Sequence, residues 1–262
     1  MKSLPTKNQK KLFKPGTIWK LGEHRLAYGD SRDKDLIANL VGDNKINLIC
    51  TDIPYGISVI SSKKNFKTLF KNKEIENDQL QTHEEYKQFN KEWLEAIIPY
   101  LAPKNSAYIF NADKMLFSLR DALIECGFKI SQLLIWVKSQ AVIGRLDYMP
   151  QHELILYSWH GTHKFRKFKD RSVLFYPRPA KNTLHPTMKP SGLIRRLILN
   201  SSNTGEVVFD GFSGVGTCLL ECQKTARVNL AIEIDLEYCL TTIKRFESLT
   251  GIKAKQIYGP KS

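Results

Sequence analysis

Short apolar runs alternate with amphipathic stretches along most of the chain. Strand-like runs occur at "INLICTD" (46–52), "SAYIFN" (106–111), "SQLLIWVK" (131–138), "HELILYSW" (152–159), "EVVFD" (206–210) and "VNLAIEI" (228–234). Helical periodicity marks 82–101, 113–127, 190–202, 218–225 and 236–251. "ECGF" and "LTGI" place glycine just past two helix ends, where a left-handed cap is wanted. Apolar strands alternating with amphipathic helices predict an α/β fold, a mostly parallel sheet with helices on both faces. There are no internal repeats and no low-complexity segments.

Two stretches break this rhythm. Residues 58–75, "SVISSKKNFKTLFKNKEI", are lysine-rich with a few aromatics and predict a mobile loop. Residues 139–184 interleave basic and aromatic side chains in "HGTHKFRKFKDRSVLFYPRPAKN". Each reads either as a solvated loop or as a DNA-contacting insertion.

Composition narrows the class. The 262 residues, 42% hydrophobic and 25% charged, suffice for one large α/β domain or two small ones. No run approaches the roughly 18 apolar residues of a membrane span. The N-terminal segment, 1–17, is basic and lacks an apolar core, which argues against a secretory signal and for a flexible lead-in. Cys50, Cys126, Cys218, Cys222 and Cys239 form no CxxC pair, which favours reduced, buried thiols over disulfides or zinc. His160 and His163 lack a second ligand cluster, so no metal is expected. The 40 Lys+Arg against 26 Asp+Glu give a net charge of +14, a field that attracts polyanions, nucleic acid first among them. A plain lysine-rich composition would give the same number.

Two turns carry candidate chemistry. "TDIPYG" (51–56) ends an apolar strand with a carboxylate (Asp52), a ring-locked backbone (Pro54) and a flat π surface (Tyr55), groups able to hold a flat, amino-bearing ligand. "EVVFDGFSGVGTCLLECQKTARVNLAIEID" reads as strand, glycine-rich turn, helix, strand. Gly211, Gly214 and Gly216 permit a tight turn and close backbone approach to a ligand. Asp210 closes the first strand and Glu233 the next, where doubly wound folds place the acid that binds ribose hydroxyls. The glycine spacing is not the dinucleotide fingerprint, no G-K-[ST] follows it, and Asp210 would repel a phosphate. A cationic or zwitterionic nucleoside suits this acidic rim, S-adenosylmethionine being the obvious example. On spacing alone the turn need not be a cofactor site.

Taken together, the motifs resemble the β-class amino-methyltransferases of DNA. The likeness is carried by "IWKLGEHRLAYGDS" (18–31), "TDIPYG", "HPTMKPSGLIRRLI" (185–198), and "FDGFSGVGT" (209–217) through "IEID" (232–235). Catalytic turn first and cofactor turn last is the order of that class. The resemblance implies a Rossmann-like sheet in circularly permuted methyltransferase order, one catalytic domain over 18–262, and 139–184 as a short basic target-recognition insertion. Three positions depart from the family pattern: Ile53 and Gly211 replace prolines, and Val215 replaces a serine.

The resemblance further implies that Asp52 and the Ile53 carbonyl accept the two N–H groups of an exocyclic amine, while Tyr55, beyond Pro54, stacks on the flipped base. Asp30, Asp210, Phe212, Gly214, Gly216, Thr217 and Glu233 fall to S-adenosylmethionine, with Glu233 on ribose, and His185, Thr187 and Lys189 to its methionine end. Trp136 and Lys138 fall on a strand near the target base. The acid heading the turn points to adenine N6 in place of cytosine N4, for which the family more often has serine. Expected partners are double-stranded DNA, a second copy of the chain and a cognate restriction endonuclease, with no membrane, in a bacterial or phage-infected cytoplasm. Cytosine-N4 or RNA methylation, or an inactive DNA-binding relative, are the alternatives. A nicotinamide-dependent dehydrogenase lacks both the glycine spacing and a proton donor beside the turn.

Overall fold

The computed structural model describes residues 13–56, 81–141, 147–166, 169–177 and 188–259. Ten strands line one sheet path in the order β11-β1-β2-β10-β9-β3-β4-β6-β5-β8. Its centre is parallel: β2 (His24–Tyr28), β10 (Val228–Glu233), β9 (Val207–Asp210), β3 (Ile46–Asp52) and β4 (Leu101–Asn111). Antiparallel pairs extend both sides. β1 (Ile18–Leu21) joins β2 to β11 (Lys255–Tyr258), and β6 (His152–His160) lies between β4 and β5 (Phe128–Val137). β8 (Val173–Phe175) runs parallel to β5, and the two-residue β7 (Thr162–His163) pairs with the start of β4. The expected mostly parallel sheet is thus present, with antiparallel flanks.

Alternation along the central strands gives two core layers. Ile49, Ile109 and Phe209 face one layer; Leu48, Cys50, Tyr108, Phe110 and Val208 face the other. The first layer holds α1 (Lys34–Val41), α2 (His83–Ile97) and α3 (Leu116–Glu125). The second holds α4 (Ser191–Ser201), α5 (Thr217–Lys224) and α6 (Leu236–Thr250). The helix expected over 82–101 stops earlier because Pro99 sits in a 3-10 turn, Ile98–Tyr100, and β4 begins at once. The helix expected from 113 begins as a 3-10 turn, Asp113–Met115, without a side-chain cap. α1 was not anticipated; its Asp33 caps it by accepting from the Asp35 and Leu36 N–H groups.

The lead-in 1–17 falls only partly within the described residues. Phe13 packs edge-on against Trp19 with ring centroids 5.1 Å apart, and the Gly16 N–H donates to the Tyr28 carbonyl at 2.8 Å. Residues 13–17 are therefore tied to the sheet. The 58–75 loop lies outside the described residues. Within 139–184, β6 is an interior strand of the sheet. Among the described residues, no helix is long and apolar enough to cross a membrane.

β9 and β10 enter late in the chain yet sit between β2 and β3. From the β3/β9 boundary the chain proceeds to β4 on one side and to β10 on the other, so this boundary is the topological switch point. Open α/β sheets bind ligands in the crevice beyond the carboxyl ends of such strands.

Candidate active site

Asp52, Asp210 and Glu233 end three adjacent parallel strands and crowd one edge of the sheet. Thr51 Oγ1 donates to Asp210 Oδ1 at 2.7 Å, tying β3 to β9 at the switch point. The Phe212 N–H reaches the same oxygen at 3.3 Å. Burial nevertheless pushes the Asp210 carboxyl up to about 7, against these two hydrogen bonds and with the Asp52 charge adding to the rise.

The glycine turn follows. Gly216 has φ 76° and caps α5, and a Cβ there would lie 2.4 Å from Thr242 Cγ2. α6 grips the turn from outside: Thr242 Oγ1 donates to the Gly214 carbonyl at 3.2 Å, and the Arg245 guanidinium to the Val215 carbonyl. From inside, Glu233 accepts the Gly214 N–H at 2.6 Å and the Asp235 N–H at 2.9 Å. Its burial still raises its carboxyl to about 7. Thr217 is the buried first residue of α5.

The segment around Asp30 is tied to the same turn. Gly29 N–H donates to the Glu233 carbonyl at 3.0 Å, and the Ser31 hydroxyl to the Gly211 carbonyl. Burial disfavours the ionised Asp30, but Arg32, 2.7 Å away, outweighs it and holds the carboxyl below its ordinary range. Half-buried Phe212 sits against Phe89 and Trp93, with ring centroids 5.9 and 5.8 Å away. Asp30, Asp210, Phe212, Gly214, Gly216, Thr217 and Glu233 are thus brought to one place.

A second cluster lies beside it. Lys189, 5% exposed, places Nζ 2.5 Å from Asp52 Oδ2 and 3.0 Å from Glu153 Oε2. The Tyr55 hydroxyl is 2.9 Å from Asp52 Oδ1 and 3.1 Å from Glu153 Oε2. Lys138 Nζ holds Glu153 Oε1 at 2.8 Å. Burial and the Glu153 charge raise the Asp52 carboxyl above its ordinary value, although Lys189 opposes them. Glu153 is also penalised by burial, but its two lysines win and depress it. The two carboxylates outweigh the burial that disfavours the Lys189 ammonium and raise its pKa.

Lys189, expected at the cofactor's methionine end, is therefore paired with Asp52. Pro54 is half-buried, and the Ile53 side chain, 2% exposed, packs in the first core layer. His185 and Thr187 lie outside the described residues. Trp136 is core, its Nε1 donating to the Tyr176 carbonyl at 2.9 Å. Glu153 was missed, and its only signal is an acid within the apolar run "HELILYSW".

A family model described as DNA methylase matches residues 46–244, a span containing both clusters' turns. The chain belongs to this DNA methylase family. Among curated relatives, the Type II methyltransferase M.HpaI of Haemophilus parainfluenzae is 29% identical over 231 residues, 79% of this chain and 69% of that protein. Among solved structures, M1.HpyAVI in complex with SAM aligns with TM-score 0.62 at 26% identity, over 84% of this chain and 97% of that one. The cytosine-N4-specific PvuII DNA methyltransferase shares the fold, with TM-score 0.68 at 16% identity over 84% and 85% of the two chains.

This methylase is a DNA amino-methyltransferase, and its cofactor is S-adenosylmethionine. The residues present fit that cofactor. Ser213 Oγ is buried at the turn with no hydrogen-bond partner among the described residues, and the Asp210 and Glu233 carboxyls beside it are acceptors suited to hydroxyl donors and cationic groups. When bound, the cofactor supplies a methyl group on an electrophilic sulfonium.

Proposed function

We propose that this methylase modifies the N6 amino group of adenine in DNA, with Asp52, Ile53, Pro54 and Tyr55 as its catalytic turn. The observation that carries the reading is the adjacency of Asp52 to Asp210 and Glu233 along one sheet edge, with Thr51 bridging to Asp210 at 2.7 Å. An amine held at Asp52 then lies beside the pocket that holds the methyl donor.

An exocyclic base nitrogen is a poor nucleophile because its lone pair is delocalised into the ring. The Asp52 carboxylate and the Ile53 carbonyl accept its two N–H groups, localise that lone pair and stabilise the positive charge that develops on methyl arrival. Tyr55 stacks on the base, a contact worth about 1–3 kcal/mol, and the base must first leave the duplex. Asp30, Asp210, Phe212, Gly214, Gly216, Thr217 and Glu233 hold the cofactor, together with His185 and Thr187. The acid heading the turn supports adenine over cytosine. The charge of +14 supports phosphate contacts, with the basic parts of 139–184 contributing. Cytoplasmic work beside a cognate endonuclease, with a second copy sharing recognition, belongs to the same reading; the Type II relatives favour its endonuclease part.

The test is mass spectrometry of nucleosides from unmethylated DNA incubated with the protein and S-adenosylmethionine, beside an Asp52→Ala control. N6-methyladenine made only by the unmutated protein is the expected result. N4-methylcytosine keeps the mechanism and overturns the base. No modified base, with cofactor binding intact, favours an RNA substrate or an inactive relative.

A further inference from the structure

Asp52 carries one donor on each oxygen, the Tyr55 hydroxyl on Oδ1 at 2.9 Å and the Lys189 ammonium on Oδ2 at 2.5 Å. Both donors share a second partner. Glu153 Oε2 is 3.1 Å from the hydroxyl and 3.0 Å from the ammonium. A phenol has one proton, so the Tyr55 hydroxyl donates to only one of these carboxylates at a time. Glu153 is anchored independently of both donors, because Lys138 holds its other oxygen at 2.8 Å. Asp52 is the more open acid, with 27% of its side chain exposed against 19% for Glu153.

We infer that Glu153 is a positioning residue: it takes the Tyr55 hydroxyl and the Lys189 ammonium from Asp52 as the target amine arrives. This rests on the reading of Asp52 as the acceptor of that amine. An incoming N–H needs an acceptor whose charge is not already spent on other donors. With Glu153 beside them, both donors turn to an equivalent carboxylate instead of being stranded. Two carboxylates and two ammonium groups make the cluster neutral, and the hand-over exchanges hydrogen bonds without breaking a covalent bond or moving net charge.

The charged and titratable groups facing Asp52 among the described residues are Lys189, Tyr55 and Glu153, with Asp210 and Cys50 behind it. Glu153 raises the Asp52 carboxyl and Lys189 lowers it. Glu153→Gln removes the raising charge and leaves Lys189 to Asp52 alone. The plateau rate is expected to fall about tenfold, within the usual range of coupling in a charged network. At the same time the acid limb of the pH–rate profile moves to lower pH. Loosening of the fold lowers the rate without moving that limb down, so an unshifted limb, an upward shift or an unchanged rate each overturns the inference.

A second arm uses Lys189→Met, with folding checked by circular dichroism. Without Lys189 the two acids face each other across one hydroxyl, so adding Glu153→Gln should raise activity instead of lowering it. The same loss in both backgrounds overturns the proposal. An Asp52→Asn variant that still methylates DNA sinks the underlying site reading. An inactive Asp52→Asn beside a normal Glu153→Gln sinks this inference alone.

Discussion

Lys189 lies 137 residues from Asp52 in the chain, yet its ammonium nitrogen is 2.5 Å from Asp52 Oδ2. The contact closes the sheet edge between β3 and the entry to α4, two elements joined otherwise by apolar packing. It also opposes the burial that raises the Asp52 carboxyl.

Replacing Lys189 by Met leaves Asp52 and Glu153 close together with only Lys138 to balance them. Removing one partner of a buried pair typically costs about 3–5 kcal/mol; partial solvent access at Asp52 reduces the expectation to about 2–3 kcal/mol. Burial and Glu153 then raise the Asp52 carboxyl unopposed, so the acid limb of the rate profile moves to higher pH. Denaturant titration and a pH–rate series check the two effects separately.

Cofactor binding at the site proposed beside Asp210 and Glu233 should carry a pH dependence of its own. Asp210 and Glu233 are raised from 3.8 and 4.5 to about 7. Raised acids contribute stability to the folded state when neutral. That contribution is complete below their unfolded values and is lost as pH rises towards about 7. Ribose hydroxyls and a cationic ligand favour the ionised form instead. S-adenosylmethionine should therefore bind about tenfold more tightly near pH 8 than near pH 6, as one group titrating midway requires. Calorimetry across that range checks it, and Glu233→Gln should flatten the dependence.

Much of this architecture was legible before the structure, and the failures have a common cause. Ile49, Phe209 and Ile232 announced buried strands because two-sided burial writes a continuous apolar run. Asp210 and Glu233 stood out as acids ending such runs. Glu153 did not, because it stands near the start of its strand, where a parallel arrangement would put it at the far edge. β6 is antiparallel to β4, so its first residues lie at the carboxyl edge beside Asp52. β5 runs parallel to β4 through that same neighbour, which brings Lys138 to the edge as well. Strand direction depends on pairing across the sheet, and local periodicity carries no record of it. Lys189 is the same case, since its partner is set by where α4 docks.

Phe212 links the glycine turn to the first core layer. Its ring lies against Phe89 and Trp93 with centroids 5.9 and 5.8 Å away, and the residue is only half-buried. Phe212→Ala should cost about 2–3 kcal/mol, below the range for a fully buried phenylalanine. It should also weaken cofactor binding more than Phe89→Leu, which keeps the neighbouring side chain apolar. Thermal melts with and without S-adenosylmethionine distinguish the two losses.

Gly216 offers the sharpest steric test. Its φ of 76° disfavours any side chain, and an added Cβ would meet Thr242 Cγ2 at 2.4 Å and Oγ1 at 2.8 Å. Gly216→Ala should cost about 2–4 kcal/mol, the sum of a left-handed penalty of roughly 1–2 and overpacking of similar size. Thr242→Ala removes both obstructing atoms but also the hydroxyl that donates to the Gly214 carbonyl at 3.2 Å. The double variant should be more stable than the two single losses added, because most of the steric part is relieved, Thr242 Cβ at 3.0 Å staying, while the backbone part remains. Additive losses in a double-mutant cycle by chemical denaturation would show that α6 does not press on the turn. Cofactor affinity should follow the same pattern, since the Gly214 N–H that Glu233 holds at 2.6 Å moves with that backbone.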